Sequence, residues 1–253
     1  MRSLIDFGYS GWWMWGHLPV IAGAVALLLL AWRRRWHWLA KAGLGAITFW
    51  ALAAFLVVQL VFRFNDVPTI PTPGYLSSGA GRVLDIGAGS GRSSIMVLLE
   101  RPNTTLVALD NFSATYIEGH GPEKLKANLR AAGVGGRAEV VSADMRKLPF
   151  PDASFDAIVS TYAIDHLPRN DIPGALSEAA RVVRPGGEFL LEVMYPDAWM
   201  RFAYGPLMMH GARAGDIRSR WTAMMETAGF RALEQGTAPA TFYIRAARRK
   251  SGE

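Results

Sequence analysis

Two long stretches without formal charge constrain this chain more than any other feature. From Trp12 to Trp32, 21 residues contain no Asp, Glu, Lys or Arg, and from Ala42 to Phe62 another 21 contain none. As helices each reaches about 31 Å at 1.5 Å per residue, the thickness of a bilayer core. Between them lies Arg33-Arg34-Arg35-Trp36-His37-Trp38-Leu39-Ala40-Lys41, where tryptophans suit the headgroup level and arginines suit anionic lipid. The pattern predicts a membrane hairpin over residues 1–62, with helices at about 12–32 and 42–62. A signal peptide fits poorly, because its apolar stretch is shorter, follows a basic segment and is not followed by a second span.

Charge divides at the same place. The first 62 residues hold five of the 27 Lys and Arg but one of the 21 Asp and Glu, so most of the net charge of +6 belongs to the hairpin. The remainder is nearly neutral, which argues against a nucleic-acid partner. Seven of the nine tryptophans also precede residue 62, so the two parts meet different solvents. The absence of cysteine excludes disulfide scaffolds, thiolate metal sites and cysteine nucleophiles. No closely spaced set of His, Asp and Glu matches a metal-ligand template, and no metal is expected.

Residues 63–74 carry Pro68, Pro71 and Pro73, which disfavour helix and sheet and predict a stiff linker. Residues 75–253 are one domain-sized unit. Apolar runs of strand length recur at 82–86, 105–109, 138–142, 155–160 and 188–193. Helical patterns separate them: Ile172, Leu176, Ala179, Ala180 and Val183 share one helix face, and Pro122 and Gly133 bracket another helix. Strands apolar on both faces and alternating with helices predict an α/β fold with a doubly wound, mostly parallel sheet. The tail differs. After a helix carrying Ile217, Trp221, Met224 and Met225, the runs 231–236 and 241–246 follow each other with no helix between, so the last strand is expected antiparallel.

The segment Val83-Leu84-Asp85-Ile86-Gly87-Ala88-Gly89-Ser90-Gly91-Arg92 places glycines at a strand end before a helix, where backbone can approach a ligand closely. A dinucleotide fingerprint needs a third glycine at position 92, which is arginine. The spacing is Gly-x-Gly-x-Gly, and Asp85 stands two residues before the first glycine. A carboxylate there repels a pyrophosphate and suits a cationic ammonium or sulfonium ligand.

From these residues the stretch of about 80–248 resembles the class I S-adenosylmethionine-dependent methyltransferases, whose first motif Val83 to Gly91 matches. The resemblance implies S-adenosylmethionine as cofactor and a Rossmann-like sheet. It assigns Asp85, Gly87, Ala88, Gly89 and Gly91 to the cofactor turn, and Asp110, with Asn111 beside it, to the ribose hydroxyls. Asp144 and Met145 would meet the adenine. Leu148 to Ser160 is similar to the loop and fourth strand of the family's small-molecule and quinone-biosynthesis members, and Arg181 to Phe189 to their turn into the fifth strand. The segment Thr161-Tyr162-Ala163-Ile164-Asp165-His166-Leu167 borders the methyl group and acceptor in that family, with Thr161 on the cofactor side.

Methyl transfer from a sulfonium is an in-line displacement that mainly needs alignment and exclusion of water. The catalytic candidates are His166, which can take a proton near neutral pH, Asp165, which can orient its ring, and Tyr162, better suited to a pocket wall. Two stretches depart from the family pattern. Asn111 to Gly121 is longer than the usual continuation, with His120 expected to be exposed. Tyr195 to His210 is dense in aromatic residues and methionine, a surface for an apolar acceptor, for the bilayer, or for packing on the core. The expected protein is a membrane-anchored methyltransferase acting on a lipophilic small molecule or lipid. The alternatives are a non-catalytic cofactor-binding module for membrane assembly and a nicotinamide-dependent oxidoreductase. Basic-residue counting puts the 33–41 loop in the cytoplasm and the domain outside, whereas the cofactor is cytoplasmic; the chemistry favours a domain on the cytoplasmic side of an inner or plasma membrane.

Overall fold

The computed structural model describes residues 5–9, 11–113, 119–205 and 217–250. Among these, seven strands form one sheet: β1 (Ala80–Ile86), β2 (Asn103–Asp110), β3 (Ala138–Ser142), β4 (Phe155–Thr161), β5 (Val183–Met194), β6 (Phe230–Ala238) and β7 (Thr241–Arg248), in the order β3-β2-β1-β4-β5-β7-β6. Strands β1 to β5 are parallel, and β7 runs antiparallel between β5 and β6. Central strands bury both faces because their apolar runs are continuous, as with Val83 and Leu84 or Ile158 and Val159. Edge strand β6 instead alternates exposed and half-buried residues after the buried Phe230.

Helices α4 (Arg92–Glu100) and α5 (Pro122–Ala131) cover one face, α6 (Ile172–Val182) and α8 (Ile217–Thr227) the other. The α6 face expected from the sequence is the one buried, with Leu176 and Ala179 fully enclosed. Two segments outside the sheet complete the α4 side. Phe7, ahead of the hairpin, is fully buried beside Ile70, Tyr75 and Ile95. Asn128 of α5 holds this N-terminal segment: its Oδ1 accepts from Asp6 N at 3.1 Å, and its Nδ2 donates to Asp6 O and Ser90 O. The proline-rich segment is likewise docked rather than a free spacer. Ile70 N donates to Glu100 at 2.8 Å, Arg92 Nε donates to Asp66 O at 3.1 Å, and Thr72 is buried against Glu234.

The N-terminal helices are α1 (Gly11–Trp15), α2 (His17–Arg33) and α3 (Trp38–Val57), the last extended by a π-helical turn Val58–Phe62. The expected helix over 12–32 is therefore broken. Pro19 has no N–H to return to the carbonyl of Trp15, and a turn at Gly16 restarts the helix at His17. The expected 42–62 helix starts earlier, at Trp38, where His37 Nδ1 accepts from Leu39 N at 3.3 Å. Lys41 is accommodated with its ammonium 4.7 Å from the Trp32 ring. As a result, one described helix, the 25-residue Trp38–Phe62 with mean hydropathy 2.2, is long and apolar enough to cross a membrane, while α2 is shorter at 17 residues. Ala24 and Ala31 are buried where α2 packs on α3, small residues that let two helices approach. Leu27, Leu29, Trp32, Phe49, Leu52 and Leu60 remain exposed.

A short helix joins the hairpin to the sheet. In α7 (Ala198–Tyr204), capped by Asp197 on Met200 N at 2.8 Å, Met200 and Ala203 pack with Ala54, Val57, Val58, Phe62 and Ala240. His17 Nε2 lies 2.7 Å from Ala203 O, Trp50 Nε1 donates to Phe202 O at 3.0 Å, and Tyr204 OH donates to Trp13 O at 2.9 Å. The aromatic run expected to cover core, acceptor or bilayer thus packs, through residue 204, on the hairpin; residues 206–210 lie outside the described part. Asn128→Ala leaves the buried carbonyl of Ser90 and the part-buried carbonyl and N–H of Asp6 without their partner. It should lower stability by about 1–3 kcal/mol in urea unfolding, with protease sensitivity increased at residues 5–9.

Candidate functional site

Sheet order reverses at β1, whose neighbours are β2 and β4, and the carboxyl ends of these strands open a crevice. The Gly-rich turn follows β1 there. Gly87 has φ +77°, and a Cβ on it would stand 2.2 Å from the Cβ of Ala163 and 3.3 Å from Cε of Met145. The turns after β4 and β3 therefore close on Gly87, and only hydrogen fits. Gly91 (φ +94°) begins α4, and a Cβ there would meet Leu125 at 2.6 Å.

The N–H groups of this loop are engaged within the fold. Gly87 and Ala88 donate to Leu109 O, Gly91 donates to Ala88 O, and Gly89 donates to Asp110 Oδ2 at 2.8 Å. What the loop offers is carboxylate. Asp85 is fully buried; Ser93 and Ser94 of α4 both donate to its Oδ2, at 2.7 and 2.5 Å, and its Oδ1 has no hydrogen-bond partner. Burial pushes the Asp85 carboxyl up to about 6, against the two serine hydroxyls, with Asp110 adding to the rise. A buried acid with an unpartnered oxygen, beside a second acid and with no facing cation among the described residues, fits a cationic ligand and opposes a phosphate.

The other acids differ in availability. Asp110 ends β2 with 9% exposure; its Oδ1 accepts from Phe112 N at 2.6 Å. His120 is not exposed as expected: its side chain is 4% accessible, its Nε2 lies 3.5 Å from Asp110 Oδ1, and its ring rests on Phe112. The rest of the long 111–121 stretch, residues 114–118, lies outside the described part. Asn111 is exposed and its Oδ1 accepts from Ser113 N and Oγ. Asp144 follows β3 and is chelated by the Arg146 guanidinium, at 2.6 Å for the shortest contact, which holds its carboxyl below the usual range; Arg146 also bridges to Asp171. Sequence alone did not reveal that competitor for the Asp144 oxygens.

Past β4, whose last residue is the half-buried Thr161, Tyr162 turns into the left-handed region (φ +50°). Its hydroxyl bonds Thr241 Oγ1 of β7, and burial, then the nearby Glu192, push the phenol well above its ordinary value. This makes it a wall and not a base. Asp165 sits on the turn Ile164–His166; its Oδ2 accepts from Met194 N at 3.0 Å and its Oδ1 is unpartnered. Burial pushes its carboxyl up against the pull of the neighbouring, exposed His166. Sequence reasoning missed Glu192 of β5. It is 8% exposed, its Oε1 has no partner, and burial pushes its carboxyl up to about 7, opposed by Arg92. The available signal was an acid inside the apolar run Phe189 to Met194.

Comparison with known proteins bears on the fold and the family. Residues 83–187 match the family model described as a methyltransferase domain. Over those residues the chain is similar to an S-adenosylmethionine-dependent methyltransferase domain. It is 33% identical over 112 residues to a ubiquinone/menaquinone biosynthesis C-methyltransferase of Dinoroseobacter shibae, covering 44% of this chain and 42% of that protein. It is 35% identical over 143 residues to a fatty-acid O-methyltransferase of Mycolicibacterium smegmatis, covering 53% and 46%. The chain thus spans less than half the length of these curated relatives. A solved methyltransferase of Haloferax volcanii, in complex with the Trm112 activator, superposes with TM-score 0.53 at 18% identity, covering 69% of this chain and 84% of that one. At that identity the likeness is one of fold. The cofactor of this class is S-adenosylmethionine, and its ammonium and sulfonium charges are what the buried acids at the crevice suit.

Removing one acid tests the crevice. Asp110→Ala should lower affinity for S-adenosylmethionine by at least tenfold in calorimetric titration and leave the circular dichroism spectrum unchanged; unaltered affinity removes Asp110 from the site. Asp85 generates a pH dependence. Its folded value, about 6, lies above the ordinary 3.8, so the folded state binds the proton more tightly than the unfolded. Stability then falls as pH rises through that window, by ~3 kcal/mol in all. Asp85→Asn should abolish this part of the slope in denaturation at successive pH values.

Proposed function

We propose that this chain is a membrane-anchored methyltransferase that moves a methyl group from S-adenosylmethionine to a lipophilic small molecule or lipid. The observation that carries the proposal is where the hairpin docks. Helix α7 directly follows β5, and Ala240 lies in the turn into β7, so the hairpin packs on the carboxyl rim of the sheet, the rim that bears the acids. Apolar side chains exposed along α2 and α3 need a cover that water does not provide, and a bilayer supplies it. One long apolar helix with a shorter partner anchors the domain beside the membrane or inserts partway into one leaflet. Tethering raises the local concentration of any acceptor dissolved there. Relatives named for quinone biosynthesis and for fatty acids support a lipophilic acceptor. The cofactor favours a domain on the cytoplasmic side of an inner or plasma membrane.

When bound, S-adenosylmethionine supplies a methyl group activated by a sulfonium. In the proposed site the turn Gly87, Ala88, Gly89 and Gly91 with Asp85 behind it would hold the positively charged end, and Asp110, with Asn111 alongside, would accept the ribose hydroxyls. Asp144 and Met145 bound the adenine, which requires Asp144 to share its oxygens with Arg146. Thr161 and Tyr162 line the path from cofactor to acceptor. His166, with Asp165 beside it, is exposed at the rim and suits exchange of a proton with solvent more than a dry transfer step.

Incubation of the full chain with native membrane extract and isotopically labelled methyl donor tests the function. Mass spectrometry should find the label in an extractable lipid or isoprenoid compound. Label confined to water-soluble products overturns the acceptor class. No label in any product, with cofactor binding intact, favours a non-catalytic binding module.

A further inference from the structure

Glu192 is a buried acid that the cofactor crevice does not use. Its residue pairs with Thr161 of β4 on one side and Tyr243 of β7 on the other, and Thr161 lies two residues beyond Val159, the partner of Asp85. Because side chains alternate along strands and paired residues share a face, Glu192, Thr161 and Asp85 point to the same side of the sheet. Strand spacing and rise set Glu192 about 12 Å from Asp85, two strands across and two residues nearer the carboxyl rim. That is the direction of α7 and the hairpin.

The groups around it are few. From α4, Arg92 supplies an opposing charge felt by Glu192, and its own Nε donates to Asp66 O. From the turn after β4, Tyr162 interacts with Glu192 and with Tyr9 of the N-terminal segment, while its hydroxyl bonds Thr241. On β7 the paired Tyr243 hydroxyl is turned to Glu234. No hydrogen bond reaches Oε1, although the residue is over nine-tenths buried. An enclosed oxygen with no donor is costly unless a ligand brings one.

Resting on the methyltransferase reading above, we propose that Glu192 is the general base for an acceptor that carries its proton into the site: a lipophilic molecule with an un-ionised phenolic or enolic hydroxyl. The acceptor oxygen bonds to the donor's methyl carbon, the methyl–sulfur bond breaks with its electron pair going to sulfur, and the hydroxyl proton passes to Oε1. An ether, a thioether and a neutral carboxylic acid result. Charge of both signs disappears in this step, which suits a dry site. An acceptor already ionised, such as a fatty-acid carboxylate, needs no such base. Burial brings the carboxyl to about 7, so it is both available as a base near neutrality and strong enough to matter.

The test uses the full chain in phosphatidylcholine nanodiscs, with a long-chain alkylphenol and a long-chain fatty acid as probe acceptors and the isosteric Glu192→Gln. Wild type is expected to methylate the alkylphenol at a rate that rises with pH through about 7 and levels. The variant should lose about 10²- to 10⁴-fold in kcat, keep its affinity for S-adenosylhomocysteine, and show no inflection there. Without any acceptor, infrared difference spectra should contain a carboxylic C=O band that titrates near 7 and is missing in Glu192→Gln. Undiminished kcat on the alkylphenol, loss of S-adenosylhomocysteine affinity in the variant, or absence of that band overturns the proposal. Wild type that methylates only the fatty acid also overturns it but leaves the parent function standing, whereas wild type that fails to bind S-adenosylhomocysteine removes both.

Discussion

The contact between Asp85 and the first turn of α4 fixes the architecture of the crevice. Two serine hydroxyls reach one carboxylate oxygen in the interior, at 2.7 and 2.5 Å, and tie the end of β1 to the start of the helix. The glycine turn between them must then bend through the left-handed region, and Gly87 must run hard against Ala163. The same clamp sets the rotation of α4. Arg92, one residue before the serines, is thereby aimed at the carbonyl of Asp66 and toward Glu192. Cofactor turn, proline-rich segment and rim acid are linked through one helical turn.

The hairpin meets the domain through a small area of mixed chemistry. Met200, Ala203 and Ala240 supply apolar contact, while three hydrogen bonds from hairpin or α7 side chains end on backbone carbonyls. Bonds to carbonyls are directional, and the one on Ala203 O is buried, so losing it would leave that carbonyl unpaired. This junction therefore fixes an orientation as well as a proximity. The apolar surface of α2 and α3 is held on the side of the sheet where Thr161, Tyr162 and Glu192 come to the rim. A free linker, even the stiff one that three prolines suggest, would have left that geometry open; the segment instead packs along the domain through Ile70 and Thr72.

Local chemistry made much of this legible in the sequence. The strand runs, the helix carrying Leu176 and Ala179, the closing hairpin of β6 and β7, and the acids at successive strand ends all follow from patterns within a few residues. What escaped depends on distant partners. Phe7 reads as an ordinary residue until Asn128, over a hundred positions away, holds its neighbour in place. Other misses are closer in sequence but equally a matter of side-chain conformation: Asp144 reads as a free acid until Arg146, two residues on, folds back on it, and His120 as exposed until Phe112 and Asp110 enclose it. The break at Gly16 was a local signal, since Pro19 lacks its donor, but continuous hydropathy masked it. Glu192 was missed for a different reason. A single acid in an apolar strand is seen as a flaw in the pattern, and only the sheet order reveals that it shares a face and an end with Asp85.

Asp85 and Glu192 also place opposite demands on the protein with and without ligand. Both are acids whose burial raises their values, and both keep an oxygen without a donor. In the ligand-free fold each is a cost that grows as it ionises. A cationic nucleoside beside Asp85 reverses the sign there, because the charge that destabilised the fold becomes its partner, and binding to the native state alone adds stability by mass action. At Glu192 no resident cation of comparable effect is present, so its cost near neutral pH is only partly offset by Arg92. Replacing either acid by its amide would relieve the fold, and that the chain retains both at the rim of one sheet face is most simply explained by work on a ligand.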